Sequence, residues 1–149
     1  MNKKAICEAV VDHLLVQKDE VWKNLESLKE SLSAESKSTA GDKHETGRAM
    51  IQQEIEKVEG TFLRIDEALD TVLRIKNSEQ LPTRVASGVL VETNGPWVLV
   101  GVALGRMKSG ESDIVCASNA APLAQAWHGA EVGDQVSMGP MTWTIKALH

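Results

Sequence analysis

Aromatic residues other than tryptophan are scarce in this sequence, and so is cysteine. Its 149 residues include no tyrosine, one phenylalanine and two cysteines, beside four tryptophans. Cys7 and Cys116 lie far apart, and neither belongs to a CxxC pair or lies near a histidine cluster. This spacing gives no support to a cysteine-rich metal site, and it predicts two buried free thiols.

Long hydrophobic runs are also missing. No stretch of about 18 apolar residues occurs, so we expect no membrane span. The basic start, Met1 to Lys4, is followed by a charge at Glu8, which comes too early for the apolar core of a signal peptide. The sequence therefore predicts a cytoplasmic protein.

The residue sets that usually carry catalysis do not appear. We find no Ser-His-Asp or Cys-His set, no phosphate-binding loop and no complete metal site. The net charge of -5 argues against bulk attraction to nucleic acid. We therefore expect a chain that is not an enzyme in isolation and that binds a protein or a charged protein channel.

Charge divides the chain into two halves of different character. Residues 1–80 hold 28 of the 37 Asp, Glu, Lys and Arg residues, and residues 81–149 hold only nine. The first half has helical patterning, whereas the second has short strand-like runs and turns. A polar run that ends at Pro82 separates them. We predict an α+β chain with domains at 1–78 and 82–149.

Two heptad stripes predict a pair of long helices. The second helix carries apolar residues at spacings of four and three, namely Ile51, Ile55, Val58, Phe62, Ile65, Leu69 and Val72. The first helix carries Ile6, Val10, Leu14, Val21, Leu25, Leu28 and Leu32. Because neither stripe is stable in water and the break at 33–41 is short, we expect an antiparallel coiled-coil hairpin. A helix over 42–76 would be roughly 50 Å long.

The second half contains five strand-like runs, at 84–93, 97–103, 112–117, 135–138 and 141–147. Asn94-Gly95 is a strong hairpin signal between the first two, and Gly139-Pro140 joins the last two. Between the third and fourth, Pro122 suits a first helical turn and Gly129 suits a C-cap. These signals predict a small antiparallel sheet with one short helix.

The connection between the two long helices carries the most informative residues, Asp42 and Glu45. At this spacing the two acids form an acid-type capping box, and any helix that begins here favours them. A functional interpretation is also open, because Mg²⁺ often binds through one or two carboxylates and takes its other ligands elsewhere. Two acids cannot hold the ion alone with useful affinity. They could complete a site that a partner has half built.

The sequence resembles the Gre family of bacterial transcript-cleavage factors. In that family a Gly-Asp-x-x-Glu-Asn run joins the two helices, and here the run is Gly41-Asp42-Lys43-His44-Glu45-Thr46. The second half resembles the family's Ser-Pro-Ile-Ala-x-Ala-Leu-Ile-Gly-Lys stretch and its following Gly-Asp-x-Val. Here these are Ala121-Pro122-Leu123-Ala124-Gln125-Ala126-Trp127-His128-Gly129-Ala130 and Gly133-Asp134-Gln135-Val136. The resemblance covers nearly the whole chain in the same order.

The resemblance implies an FKBP-like C-terminal domain that docks near the secondary channel of bacterial RNA polymerase. The coiled coil would pass through this channel, and Asp42 and Glu45 would help to hold a second Mg²⁺ shared with the polymerase. The polymerase would then cleave the 3′ end of a backtracked RNA and resume elongation. The expected partners are thus RNA polymerase and, through it, RNA, with no membrane and with the chain itself a monomer.

Further residues are candidates for contact with the partner. Lys37, Lys43 and Arg48 give the tip mixed charge, and they either steer it towards phosphate or acidic groups or are solvated helix-end residues. In the second half, Pro122 and His128 would lie on the docking face. Trp127 belongs either to that face or to the core, and its pattern favours the core.

Departures from the family pattern favour a second function. Thr46 replaces the usual Asn, and Gly47-Arg48-Ala49 replaces a segment that is usually Ala-Glu-Tyr. The alternative is therefore a Gre-fold regulator that occupies the channel and inhibits or modulates transcription without stimulating cleavage. A third class, a coiled-coil adaptor with no polymerase role, predicts that exchanging Asp42 and Glu45 for their amides alters only stability.

Overall fold

The computed structural model describes residues 2–36 and 42–149, with side chains at 2–35 and 45–149. Two long helices come first, α1 (Lys3–Ser36) and α2 (Asp42–Asn77). Lys18 of α1 contacts Asp66 of α2, and Trp22, one turn later, contacts Phe62, one turn earlier. The helices therefore run antiparallel, and the predicted hairpin is confirmed.

The heptad stripes account for the packing of this hairpin. Leu25, Ile55 and Val58 are buried between the helices, with Val21, Leu28, Leu32 and Ile51 packed around them. The start of α1 is capped by Asn2, whose side-chain oxygen accepts a hydrogen bond of 2.9 Å from the backbone N–H of Ala5. Arg74 and Lys76 lie in the last turn of α2, where their positive charges interact favourably with the negative end of the helix dipole.

A six-stranded sheet with one short helix follows the hairpin. The elements are β1 (Leu90–Thr93), β2 (Trp97–Val100), β3 (Gly105–Ser109), β4 (Ser112–Ala117), α3 (Pro122–Trp127), β5 (Gln135–Met138) and β6 (Met141–Leu148). The strand order is β3-β4-β2-β1-β6-β5. Every neighbouring pair is antiparallel except β2 and β4. The α+β class is thus confirmed.

Two details of the sheet differ from the prediction. Strand β3 was not expected, because Arg106 and Lys108 interrupt any apolar alternation and its residues are exposed or half-buried. The pairing of β2 with β4 is parallel, since β3 takes the position at the edge and forms the antiparallel hairpin with β4. Polar residues on an edge strand show no clear apolar alternation, so the sequence did not predict β3 or the parallel pairing that follows from its position.

The first two predicted strand runs are longer than the strands themselves. β1 begins only at Leu90, because the chain turns at Gly88, where φ is +81°, and the N–H of Val89 bonds to the carbonyl of Ala86. β2 ends at Val100, because Gly101 adopts a φ of +98°. Both positions need a backbone conformation that side chains other than glycine disfavour.

The predicted turn at Asn94-Gly95 joins β1 to β2 as expected. The Thr93 hydroxyl, itself buried, donates to the carbonyl of Pro96 at 2.7 Å and accepts from the N–H of Gly95 at 2.9 Å. The Asn94 side chain accepts a hydrogen bond from the N–H of Thr144 on β6. The indole of Trp143 lies directly against Gly95, where a β-carbon would collide with it.

The sheet and α3 enclose an apolar core. Its buried members are Val85, Val89, Val91, Val98, Val100, Ala124, Trp127, Val136, Ile145 and Leu148. Trp97 is also buried, as predicted, whereas Trp143 is only partly buried and packs at the margin of this core.

Contacts group the chain into two units, a hairpin unit of Asp12–Leu69 and a sheet unit of Met1–Val11 with Asp70–His149. The second unit contains the buried Ile6, Val10 and Val72, and the Lys3 ammonium donates a 2.6 Å hydrogen bond to the carbonyl of Ser78. The domain bounds of 1–78 and 82–149 remain a prediction.

The cysteines agree with the prediction of free buried thiols. Cys7 and Cys116 are unpaired, and each is 2% exposed. Burial raises the pKa of the Cys7 thiol to about 11 and that of Cys116 to about 12. Both therefore remain protonated at neutral pH, which is typical of structural rather than reactive cysteines.

Candidate functional site: the hairpin tip and the α3 face

The first turn of α2 positions the two candidate acids. The helix begins at Asp42, so Glu45 follows it by three residues and the two positions share one face of that turn. The Glu45 side chain is exposed. The side chains of Asp42, Lys43 and His44 lie outside the described residues, as does Lys37 altogether. Acidic residues at this position stabilise a helix, because they face the positive end of its dipole.

A third acid, Glu35, lies beside the same end of the hairpin. Its carboxylate oxygen Oε1 is 2.6 Å from the point that a β-carbon on Gly47 would occupy. The absence of a side chain at position 47 therefore makes room for the carboxylate between the last turn of α1 and the start of α2. Sequence reasoning did not single out Glu35, and it noted Gly47 only as a departure from the family run.

The helix register would have indicated this contact. Lys18 with Asp66 and Trp22 with Phe62 define one antiparallel alignment of the two helices. Continued towards the tip, that alignment brings residue 35 opposite residues 47–49. Arg48, one of the predicted steering residues, is exposed there.

The chemistry of these side chains fits partial ligation of a hard cation. Glu45 offers an exposed carboxylate in the first turn of α2, and position 42 lies on the same face of that turn. Within the side chains that the structure describes, no group of three or more His, Cys, Asp or Glu residues is placed to hold a metal ion. Two carboxylates supply a minority of the six oxygen ligands of Mg²⁺, so water or a second molecule would supply the others.

The second candidate region is the surface around α3. Pro122 opens the helix at its first position, and Pro122 and His128 are exposed. Trp127 is 1% exposed, and its indole N–H donates a 2.9 Å hydrogen bond to the carbonyl of Ser137. The core alternative for Trp127 is therefore the one the structure supports, and Pro122 and His128 offer the accessible surface.

Backbone pairing directly after α3 fixes the C-terminal end of this surface. The N–H of Gly129 bonds to the carbonyl of Val85, and the N–H of Val85 bonds to the carbonyl of Ala130, both at 2.8 Å. Gly129 has a φ of +83°, which reverses the chain after the helix, as its predicted C-cap role requires. An ion pair of 2.9 Å between Arg84 and Glu131 lies beside this pairing.

A cleft of about 320 Å³ lies between the β3–β4 hairpin and the start of β6. Val115, Met138 and Trp143 supply apolar lining. Arg106 supplies positive charge, and Lys108 pairs with Asp113, which also lines the cleft, at 3.5 Å. Such a cleft can accept an apolar side chain next to an acidic group. Sequence reasoning missed it because strand β3 was itself not predicted.

Comparison with known proteins gives no assignment, since no protein-family model and no curated protein matches this sequence. Within the described residues, none of the helices combines the length and apolar character that crossing a bilayer requires. The functional assignment therefore depends on the residues and their geometry.

Proposed function

We propose that this chain is a Gre-like transcription elongation factor. It binds bacterial RNA polymerase, inserts the tip of its hairpin into the secondary channel and stimulates the polymerase's own cleavage of backtracked RNA. The observation that carries the proposal is a long antiparallel hairpin whose second helix begins with two acids on one face, Asp42 and Glu45.

The length of the helices suits delivery of charge into a deep site. α1 has 34 residues and α2 has 36, so α2 is about 54 Å long. Between 12 and 69 the pair is braced by its apolar seam and by the ion pair of 2.6 Å between Lys18 and Asp66. A braced pair of helices positions its end more precisely than a flexible loop would.

The tip acids would act as ligands that are shared with the polymerase. A bound Mg²⁺ supplies charge stabilisation and a more acidic water. Asp42 and Glu45 would contribute oxygen ligands, since the spacing of three residues places the two positions on one face of the helix. Arg48, together with Lys37 and Lys43, would draw the tip towards phosphate or acidic groups. Pro122 and His128 would contact the polymerase outside the channel.

A channel-occupying regulator without cleavage stimulation is the second candidate. The residues that follow Glu45 favour it, because Thr46 and Gly47-Arg48-Ala49 replace the residues that are usual in the family run. The sign of the effect on cleavage distinguishes the two functions.

The proposal is tested on a stalled, backtracked elongation complex that contains purified bacterial RNA polymerase. We would measure binding of the chain and the rate of RNA cleavage for the native protein and for Asp42→Asn/Glu45→Gln. A matched control is Glu54→Gln/Glu56→Gln, which removes two exposed acids elsewhere on the same helix.

Each outcome selects one function. Faster cleavage that the tip variant loses and the control retains supports the elongation factor. Binding without faster cleavage supports the channel-occupying regulator. The absence of binding to the polymerase contradicts both and leaves the coiled-coil adaptor.

A further inference from the structure

The cleft beside the β3–β4 hairpin occupies a part of the sheet that α3 leaves open. Arg106, Val115, Met138 and Trp143 line it, and we call it the Arg106 cleft. Val115 and Trp143 also pack against the apolar core, so they lie on the face of the sheet that α3 covers. No residue of α3 is among the described residues that line the cleft. The cleft is therefore the open end of that face, where the core meets solvent.

Strand register places the cation of the cleft on the same face. Arg106 pairs with Val115 across the β3–β4 ladder, and directly opposed residues share one face of a sheet. Across the β5–β6 ladder, Trp143 pairs with the core residue Val136, and Met138 follows Val136 by two residues. The open face thus carries one cation together with three apolar side chains.

The positive charge of this cleft is not neutralised within the described part of the chain. Lys108 pairs with Asp113 at 3.5 Å, and both line the cleft. Arg106 is exposed and has no ion pair or side-chain hydrogen bond among the described residues. Two basic residues and one acidic residue give the cleft a formal charge of +1, in a chain whose net charge is -5. A carboxylate is favoured there, because a guanidinium binds it through two parallel hydrogen bonds.

Strand β3 adds a main-chain feature that favours a peptide as the ligand. It is the last strand of the sheet on this side, and among the described strands it pairs only with β4. Its residues are exposed or half-buried. An edge strand presents backbone N–H and C=O groups with which another extended chain can pair. A small carboxylate would use Arg106 but would leave this edge unused.

We propose that the Arg106 cleft binds an extended segment of a partner protein in which a carboxylate and an apolar side chain are two residues apart. Side chains at that spacing share one face of a strand. When the segment pairs with β3, its carboxylate binds Arg106 and its apolar side chain contacts Val115 and Trp143. The cleft volume of about 320 Å³ is near the lower limit for ligand sites, which suits one or two side chains. This contact requires neither RNA polymerase nor the tip acids, so it is independent of the function proposed above.

The test is an NMR titration of the isotope-labelled full chain with the synthetic peptide acetyl-Thr-Leu-Thr-Glu-Thr-amide. We expect weak binding, with a Kd on the order of 0.1–1 mM, because one short strand buries little surface. The largest shifts should occur in the backbone amides of residues 105–109 and 113–115 and in the indole N–H of Trp143.

Variants of the protein test the role of the guanidinium. Arg106→Gln should weaken binding by about 10-fold, because it removes the charge-assisted hydrogen bonds. Arg106→Lys keeps the charge but loses the planar fork, so it should retain part of the affinity. Lys146→Gln is the matched control, because Lys146 is exposed and follows the core residue Ile145, which places it on the opposite face of the sheet.

Variants of the peptide test the spacing without any change to the protein. Acetyl-Thr-Thr-Leu-Glu-Thr-amide has the same composition, but its apolar and acidic side chains are adjacent in sequence and lie on opposite faces of a strand. It should bind about 5-fold more weakly or worse, since only one of the two side chains can reach the cleft. Hexanoate serves as the probe for a small carboxylate with an apolar tail.

Four outcomes would overturn the proposal. The first is the absence of shifts in the cleft residues at about 5 mM peptide, which would mean that Arg106 only guards an exposed sheet edge. The second is equal binding of the two peptides, and the third is binding that Arg106→Gln leaves unchanged or that Lys146→Gln weakens to the same extent. The fourth is hexanoate that binds as tightly as the first peptide, which would assign the cleft to small carboxylates instead of a protein partner.

Discussion

The hairpin and the sheet unit use apolar residues in different ways. In the hairpin between residues 12 and 69, one seam is buried, while Leu15, Trp22 and Leu63 remain exposed. The sheet unit buries its large core side chains, among them Trp97 and Trp127, although Leu81 and Met141 are exposed. One apolar stripe on each helix is enough to hold the two long helices together, but it leaves the sides of the helices exposed to solvent. The hairpin therefore keeps apolar side chains in contact with solvent along its flanks.

The two tryptophans Trp127 and Trp22 allow this difference to be measured. Trp127→Ala removes a fully buried ring and its hydrogen bond to Ser137, so we expect a loss of about 3–5 kcal/mol in the free energy of unfolding. Trp22→Ala removes a half-exposed ring whose contact is with Phe62, and we expect a loss of about 1 kcal/mol or less. Urea unfolding at low protein concentration checks both.

Similar losses for the two variants would contradict the comparison. They would mean that the hairpin flank is as tightly packed as the core. Trp97→Ala serves as a second buried reference, because this residue is 6% exposed.

Replacing a glycine by alanine should change stability in opposite directions in the two regions. At Gly95 an added methyl group would collide with the indole of Trp143, so Gly95→Ala should destabilise the sheet unit by roughly 1–3 kcal/mol. At Gly60, in the interior of α2, the nearest atom to the new β-carbon is Arg64 Nη1 at 3.6 Å. Gly60→Ala should therefore stabilise the hairpin by about 0.5–1 kcal/mol.

Thermal unfolding followed by circular dichroism at 222 nm reports on both variants. A lower midpoint for Gly60→Ala would show that the hairpin needs flexibility at this position. An unchanged midpoint for Gly95→Ala would mean that Trp143 can move aside without loss.

The buried thiol of Cys7 predicts that the stability of the sheet unit depends on pH. Burial raises the pKa of Cys7 from 9.0 to about 11, so the folded protein holds this proton more tightly than the unfolded chain. The contribution of this proton to the free energy of unfolding is complete below pH 9, and it is lost as the pH rises towards the folded-state pKa of about 11. We expect Cys7→Ala to show a smaller loss of stability between pH 9 and 11 than the native chain does. Equal slopes in urea titrations would contradict the assignment.

Of the interactions considered, the ion pair between Lys18 and Asp66 should contribute least to the free energy of unfolding. Both side chains are more than a third exposed, at 35% and 40%, so solvent screens the pair despite its distance of 2.6 Å. A double-mutant cycle with Lys18→Met and Asp66→Asn should give a coupling of about 0.2–1 kcal/mol, and this coupling should fall with added salt. A coupling that salt leaves unchanged would indicate a pair that is shielded from solvent.

The sequence predicted the elements whose residues repeat. The seam from Ile51 to Val72 fixed the second helix, and Asn94-Gly95 fixed a turn, because each pattern has a specific structural requirement. Strand β3 was missed because its pairing depends on β4 and leaves little trace in residues such as Arg106 and Lys108. Glu35 was missed because it reaches the tip through the register of two helices, which no local pattern encodes.

The candidate site was predicted from two acids and their resemblance to a family run. The structure adds the exposure of Glu45, the position of Glu35 beside Gly47, and the division of the α3 residues into buried Trp127 and exposed Pro122 and His128. The metal-sharing role stays a prediction, since it depends on ligands that only a partner can supply.

The magnesium dependence of RNA cleavage tests that role most directly. Cleavage in a backtracked complex would be measured over a range of Mg²⁺ concentrations with the native chain, with Asp42→Asn/Glu45→Gln and without the chain. We expect the native chain to lower the Mg²⁺ concentration for half-maximal cleavage, and the variant to require about 10- to 100-fold more than the native chain does. The shared-metal account would be contradicted if the native protein did not lower the Mg²⁺ concentration for half-maximal cleavage below its value for the polymerase alone. It would also be contradicted if the variant and the native protein required the same Mg²⁺ concentration.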